Sequence, residues 1–262
     1  MPLNVPDFPA VPECGGKQWS VLDDDALAIL VALVLVGRAK HAERILTGAQ
    51  VNTAFVPDAL KKQLRQQLQT PPGPLTWHRD GLLFEIISWV VATLTGISNE
   101  VISTPHLKST QQGLDTIKVG FDPVARNITQ VVIYEQKCTD HPRDEFRDKV
   151  LKSFLEWKEH KRDNQLVQAV TGLVERFNLT DNEHLALYDR LVQVHPLTFQ
   201  AALTVTPPIF DAPKCVSLFS GYADITPDIA NRLGDTFPLP NIRNWFSVFA
   251  DSVWNKIEAA NV

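Results

Sequence analysis

The chain has 262 residues, a formal net charge of −5 and 44% hydrophobic residues, which is enough for one large domain or two small ones. Charged residues make up 21% of the sequence, which excludes a disordered polyelectrolyte and a long coiled coil. The three cysteines, Cys14, Cys138 and Cys215, lack metal-ligand spacing and predict no disulfide framework, so we expect a reduced, cytoplasmic setting.

The N-terminal region predicts a surface segment and then a buried helix. Residues 1–20 are rich in proline and glycine, and we expect them to run over the surface. A helix is predicted from Asp24 to Leu46. Its apolar run ALAILVALVLV follows three aspartates, which suit the positive end of a helix and not the start of a signal peptide. A membrane span needs about 18 to 20 apolar residues, so this run predicts a core helix and no membrane association.

A second helical stretch follows, and then a firm break. A short helix is predicted over Pro57–Gln69, and the segment TPPGP ends it. A mostly apolar helix is predicted after this break, over Arg79–Thr95. We therefore predict an N-terminal helical extension over residues 1–75, packed on a main domain over residues 76–262. A single domain overall remains open. Glu85 lies within the apolar surface of the helix Arg79–Thr95, where a charged side chain needs a partner or a functional role.

The rest of the chain predicts an α/β fold with a mixed central β-sheet flanked by helices. Two strand-like runs, joined by the turn residues DPVARN, predict a β-hairpin. The predicted elements are the strands Leu114–Phe121 and Ile128–Cys138, a helical region over Arg143–Phe177 with a break near Asp163, the strands Phe199–Thr206 and Cys215–Ser220, and helices over Pro227–Leu233 and Asn241–Ala259.

The predicted hairpin brings three charged residues together. If its strands pair about a centre at position 125, partner numbers add up to 250, so Asp115 lies opposite Glu135. Opposed residues of an antiparallel pair share a face, with Cβ atoms about 5 Å apart. Lys137 lies two residues beyond Glu135 and shares that face.

These three residues suit metal-dependent phosphodiester hydrolysis. Two opposed carboxylates repel each other unless a cation lies between them, and Mg²⁺ favours one or two carboxylates together with water and phosphate oxygens. Mn²⁺ is an alternative ion. Lys137 would position or deprotonate a water, or offset charge on the phosphate. Glu85 would add its carboxylate to the metal site from the preceding helix.

The pattern of Glu85, Asp115 and the Glu135-Gln136-Lys137 strand end resembles the PD-(D/E)XK nuclease superfamily. That family has a helix before a hairpin, an Asp near the start of one strand, (D/E)-x-K on the next, and a helix that then crosses the sheet. The resemblance covers residues 79–177. Leu114 stands where the family motif has proline, a proline that is often absent in the superfamily. The resemblance implies a restriction-endonuclease-like core, with Asp115, Glu135 and Glu85 as metal ligands and Lys137 as a further catalytic residue.

Three surrounding segments narrow the resemblance. RDGLLFEIISWV, KSTQQGLDTIKV and VVIYEQKCT are most similar to the nuclease components of Hachiman antiphage systems, which work with a helicase. This implies a DNA endonuclease that acts as the effector of an antiviral complex, with DNA and a helicase as partners and no small-molecule cofactor. The charge agrees with a need for a partner: residues 101–180 hold twelve Lys/Arg and eleven Asp/Glu, and a solitary DNA binder would show a basic footprint.

Other interpretations of these residues stay open. Lys137 would simply bond a carboxylate at a strand end, and Glu85 would be a buried acid paired with Arg79 or His78. The chain would then be a catalytically silent, nuclease-like subunit that docks on a helicase. A stand-alone repair or restriction nuclease is a further alternative. The sequence does not decide whether the substrate is DNA or RNA. A second Glu-x-Lys, Glu156-Trp157-Lys158, falls in a predicted helix and is interpreted as a solvated face.

Overall fold

The computed structural model describes residues 1–8, 11–48, 55–71, 73–107, 116–206 and 212–259. The α-helices are α1 (Asp24–Leu35), α2 (Ala39–Leu46), α3 (Asp58–Leu68), α4 (Pro74–Leu94), α5 (Pro142–Glu145), α6 (Leu151–Lys158), α7 (Asp163–Val174), α8 (Asp181–Asp189), α9 (Ala212–Phe219) and α10 (Ile242–Glu258). The β-strands are β1 (Leu3–Asn4), β2 (Ser20–Val21), β3 (Glu100–Ile102), β4 (Thr116–Asp122), β5 (Asn127–Lys137), β6 (Leu197–Val205) and β7 (Arg232–Pro238). Single π-helical turns over Phe146–Val150 and Arg190–Val194 follow α5 and α8.

A five-stranded mixed sheet with the order β3-β4-β5-β6-β7 organises the described residues. Strands β3, β4 and β5 form an antiparallel meander, whereas β5, β6 and β7 run parallel. The parallel strands therefore end at one common edge, where Lys137 pairs with Leu203 and Val205 pairs with Pro238. This confirms the predicted mixed α/β class with helices on the sheet.

Helices cover both faces of the sheet. On one face, Val132 and Tyr134 of β5 pack against Ala92 of α4, and α4 shares a larger apolar cluster with α1 and α10. On the other face, Val131 and Ile133 pack in a cluster that includes α6 and α7. No helix in the described part of the chain combines the length and the apolar content of a membrane span.

The first predicted helix is present but is divided in two. Asp23 caps α1 by accepting a hydrogen bond from the backbone N–H of Ala26 at 2.9 Å, and the residues from Leu27 to Leu35 are almost entirely buried. Gly37 then adopts φ +80°, a left-handed conformation that glycine tolerates and that ends the helix. The helices predicted over Pro57–Gln69 and Arg79–Thr95 correspond to α3 and α4. The predicted boundary near residue 75 stays a prediction.

Two predictions in the C-terminal part are wrong. The predicted strand Cys215–Ser220 belongs to helix α9, where the buried Cys215, Leu218 and Phe219 have helical spacing. The predicted helix Pro227–Leu233 is a short 3₁₀ turn over Ile229–Asn231, after which the chain enters β7. Strand β7 forms because its backbone pairs with β6. The residues of β7 alone do not predict this long-range pairing.

We predicted that residues 1–20 run over the surface, but part of this segment pairs with the sheet. Gly15 and Trp19 donate backbone hydrogen bonds to the carbonyls of Arg232 and Thr236 in β7, at 3.1 and 2.9 Å. Trp19 is 1% exposed and donates its indole N–H to the buried Asp235 at 3.2 Å. The segment therefore covers the edge of β7 and contributes to the core.

Candidate functional site

The hairpin has the register that the sequence predicts. Thr116 pairs with Tyr134 and the partner numbers add up to 250 as far as Gly120 and Gln130, after which a bulge shifts the pairing. Asp115 precedes the first of these pairs and lies outside the described residues. Its placement opposite Glu135, as metal ligand, stays a prediction that the neighbouring pairs support.

Glu135 and Lys137 lie together at the carboxyl end of β5. The ammonium Nζ of Lys137 donates to Oε2 of Glu135 at 3.0 Å, and the hydroxyl of Ser153 in α6 donates to Oε1 at 2.5 Å. The side chains of Glu135 and Lys137 are 14% and 27% exposed. The carboxylate is therefore held in place from two sides, although a carboxylate has about four acceptor positions and keeps some for a metal.

Ser153 was not identified from the sequence. It lies in α6, three residues before the second Glu-x-Lys, and nothing in its spacing relates it to the hairpin. Arg162 also reaches its Oγ at 3.4 Å and stacks over Trp157 with its guanidinium carbon 4.1 Å from the ring centroid. The helix layer thus supplies the contact that orients Glu135.

Glu85 is held by His106, a partner that we did not expect. Its Oε1 accepts from the backbone N–H of His106 at 2.9 Å and lies 3.2 Å from the imidazole Nδ1 of the same residue. Arg79, one expected partner, instead donates to Asp80. Helix α4, which carries Glu85, covers the sheet face opposite to the one that bears Glu135.

An open cleft of about 580 Å³ lies at that end of β5. Its wall includes Lys137 and, from the first turns of α4, Trp77, His78 and Gly81. Glu85 follows Gly81 by four residues and so lies one turn farther along the same side of the helix. The cleft therefore lies between the first turns of α4 and the strand end that bears Lys137.

A buried ion cluster supports one wall of the cleft, and sequence reasoning missed it. Asp80 is fully buried, accepts from Arg79 at 2.7 Å and accepts from Arg243 of α10 at 2.9 Å. Arg243 also donates to Asp140, just beyond β5, at 2.9 Å. A buried charge is tolerated when it is paired, so this cluster fixes α10 and α4 against the strand end.

The cleft also contains an unsatisfied amide. Gln136 is 8% exposed and lines the cleft, and neither polar atom of its side chain has a hydrogen-bond partner. Most buried polar groups are paired. Gln136 therefore keeps a buried donor and a buried acceptor that the described residues leave unpaired.

Comparisons of the chain with family models, with curated proteins and with solved structures found no match.

Proposed function

We propose that this protein is a metal-dependent DNA endonuclease with a PD-(D/E)XK, restriction-endonuclease-like core. The observation that carries the proposal is the Glu135–Lys137 pair at the end of β5, beside a strand whose register leads to Asp115. The order of a helix, a hairpin and crossing helices over α4, β4, β5 and α6 also supports it. The reaction adds water to a phosphodiester and breaks one phosphorus–oxygen bond.

Asp115 and Glu135 would hold Mg²⁺, or Mn²⁺ in its place. The donor set fits, because Glu135 holds a partly exposed carboxylate that Ser153 and Lys137 keep in place, and hard divalent ions prefer oxygen ligands. A bound Mg²⁺ would polarise the phosphate and lower the pKa of a coordinated water. Ser153 keeps the carboxylate from rotating away from that position.

Lys137 has two roles in the proposal. Its ammonium is already 3.0 Å from Glu135, which keeps it on the metal side of the strand. From there it orients the attacking water and places positive charge next to the phosphate as negative charge develops there. Lys149 and Arg243 add cations along the same cleft, although Glu145 and Asp140 pair with them.

Glu85 would contribute a third metal ligand. Its side chain is 13% exposed and bonds to His106, so a metal would have to share the carboxylate with that histidine. Glu85→Gln should therefore weaken metal-dependent cleavage by only a few fold, whereas Glu135→Ala and Lys137→Ala should abolish it. Equal losses at the two positions, measured at saturating Mg²⁺, would contradict the lesser role of Glu85.

Three segments, RDGLLFEIISWV, KSTQQGLDTIKV and VVIYEQKCT, resemble HamA, the nuclease component of Hachiman antiphage systems, whose helicase partner is HamB. This resemblance leads us to propose that the protein is the nuclease effector of a cytoplasmic antiviral complex with a HamB-like helicase. The charge of the sequence supports this proposal, because a nuclease without an excess of basic residues gains little attraction from DNA phosphates and needs a partner to engage DNA. The chain alone should bind duplex DNA weakly and leave it uncut.

The test is a plasmid-cleavage assay with Mg²⁺ and ATP, run on the chain alone and on the complex formed by co-expression with a neighbouring helicase. Size-exclusion chromatography reports assembly. We expect cleavage by the complex only, and its loss in Lys137→Ala without loss of assembly. A complex that assembles but never cuts would favour the silent docking subunit, and full cleavage by the chain alone would favour a stand-alone nuclease.

A further inference from the structure

Two histidines and an aspartate meet at a point away from the β5 cleft. His160 lies in the loop between α6 and α7, Asp163 begins α7, and His195 follows the π turn before β6. Their ligand atoms all lie within 4.8 Å of one another. Nδ1 of His160 is 2.9 Å from Oδ2 of Asp163, and Nε2 of His195 is 3.6 Å from Oδ1.

Two of these atoms are buried without a hydrogen bond. Oδ1 of Asp163 and Nε2 of His195 have almost no solvent exposure and neither has a partner within hydrogen-bond distance. The 3.6 Å between them is too long for a hydrogen bond, yet both atoms border the same space. Because native proteins rarely leave buried polar atoms unpaired, the pair indicates a missing ligand that both atoms would bind.

The two imidazole rings lie against each other. The rings of His160 and His195 stack with their centroids 4.1 Å apart. Both residues have positive φ, +61° and +54°, which non-glycine residues seldom adopt. Both side chains therefore leave the chain at turns beside Asp163.

The donor set selects the chemical class of the ligand. Two imidazole nitrogens and one carboxylate oxygen are typical of Zn²⁺, which binds them at about 2.0 to 2.2 Å. Mg²⁺ prefers oxygen ligands only. The side chain of His160 is 49% exposed, so one side of the group is open to water as a fourth ligand.

We propose that His160, Asp163 and His195 form a zinc site that fastens the loop after α6 to the segment before β6. The ligands come from two stretches of chain separated by α7 and α8, so a bound ion cross-links them. Metal that binds the folded chain and not the unfolded one stabilises the fold. The ligands of this site are not those of the proposed Mg²⁺ site, and His195 precedes β6 at the end of the parallel strands opposite to Lys137.

The experiment uses the full chain, stripped with a chelator and dialysed. Zinc is then titrated by calorimetry, and the thermal unfolding midpoint is followed with and without zinc. We expect one Zn²⁺ per chain and a higher midpoint when zinc is bound. His160→Gln and Asp163→Asn should each weaken zinc binding by about 100-fold or more, since even substitutions next to a ligand cost 10- to 100-fold.

Controls separate this site from the rest of the protein. His184→Gln on α8 and Lys137→Ala on β5 should bind zinc as the unchanged chain does, and excess Mg²⁺ should not displace it. His160 is exposed, so its substitution should leave the fold intact and makes the result interpretable even if Asp163→Asn unfolds. A chain that binds no zinc, or a His160→Gln variant that binds it with unchanged affinity, would overturn the proposal.

Discussion

The chain holds two copies of Glu-x-Lys, and they show how secondary structure decides what such a motif can do. In β5, Glu135 and Lys137 lie on the same face and bond at 3.0 Å. In α6, Glu156 and Lys158 point in different directions, because residues two apart do not face each other on a helix. Glu156 lies 3.9 Å from Arg162, whereas Lys158 donates to the carbonyl of Asp224.

The difference teaches that the residue types alone carry little information. The strand copy is partly buried and its Lys137 lines a cleft, whereas the helix copy is exposed among other surface charges. A carboxylate and an ammonium act together only where the backbone gives them one face and a shared space. The helix copy therefore supplies a matched control for each test of the strand copy.

The largest expected effect is the loss of DNA cleavage when the lysine of the strand copy is replaced, compared with the lysine of the helix copy. Lys137→Ala should lower the rate of metal-dependent DNA cleavage at least 100-fold, since loss of one positioned charge next to a reacting oxygen costs about 10²- to 10³-fold. Lys158→Ala should stay within about 2-fold, because it loses an exposed contact. Rates measured on the helicase complex decide the matter, and equal effects at the two positions would remove the distinction.

The second effect is on metal affinity at the two glutamates. Glu135→Gln keeps the shape of the side chain but loses its charge, so Mn²⁺ affinity measured by calorimetry should fall by about 100-fold, and cleavage with it. Glu156→Gln should bind Mn²⁺ as the unchanged chain does. If both variants retain full affinity, the carboxylate of Glu135 serves only its ion pair with Lys137.

The third prediction concerns the pH dependence of stability, in which neither Glu-x-Lys copy should take part. Burial raises the pKa of Asp235 from its ordinary 3.8 to about 6, although the N–H groups of Lys17, Gln200 and Trp19 oppose the shift. The folded state thus holds this proton more tightly than the unfolded state. The contribution of Asp235 to stability is therefore greatest below about pH 4 and falls by roughly 3 kcal/mol as the pH rises to about 6.

Asp235→Asn should remove that decline, which denaturant unfolding at several pH values measures as a difference from the unchanged chain. The substitution also costs stability at every pH, because an amide cannot accept all three hydrogen bonds. Lys137→Ala and Lys158→Ala should both keep the original pH slope. A slope that follows Lys137 instead would mean that the strand copy is coupled to folding.

The smallest effect is expected at Ser153, which joins the two regions. Ser153→Ala removes the hydroxyl that orients Glu135, so the rate of cleavage should fall about 5- to 10-fold at limiting Mg²⁺, which corresponds to ~1 kcal/mol. Ser252→Ala, which loses a helix-internal bond to Val248, is the control. A normal rate in Ser153→Ala would show that Lys137 alone holds the carboxylate.

Much of the local structure could be predicted from the sequence. The turn DPVARN and its flanking strands give the hairpin register because both strands are close in the chain and a two-face pattern fixes their pairing. The three aspartates and the apolar run likewise predict the start of α1. Strand β7 and helix α9 could not be predicted in the same way, since short apolar runs do not distinguish strand from helix without knowledge of their neighbours.

The sequence by itself therefore determined the α/β class, the hairpin and the nearness of Glu135 to Lys137, because these depend on period and on short loops. Only the tertiary structure decided that Ser153 holds Glu135, that Arg243 pairs with Asp80 and that His195 joins His160 and Asp163. Each of these contacts joins residues that are distant in the chain. No local pattern encodes them, since they form only when separate helices and strands pack against one another.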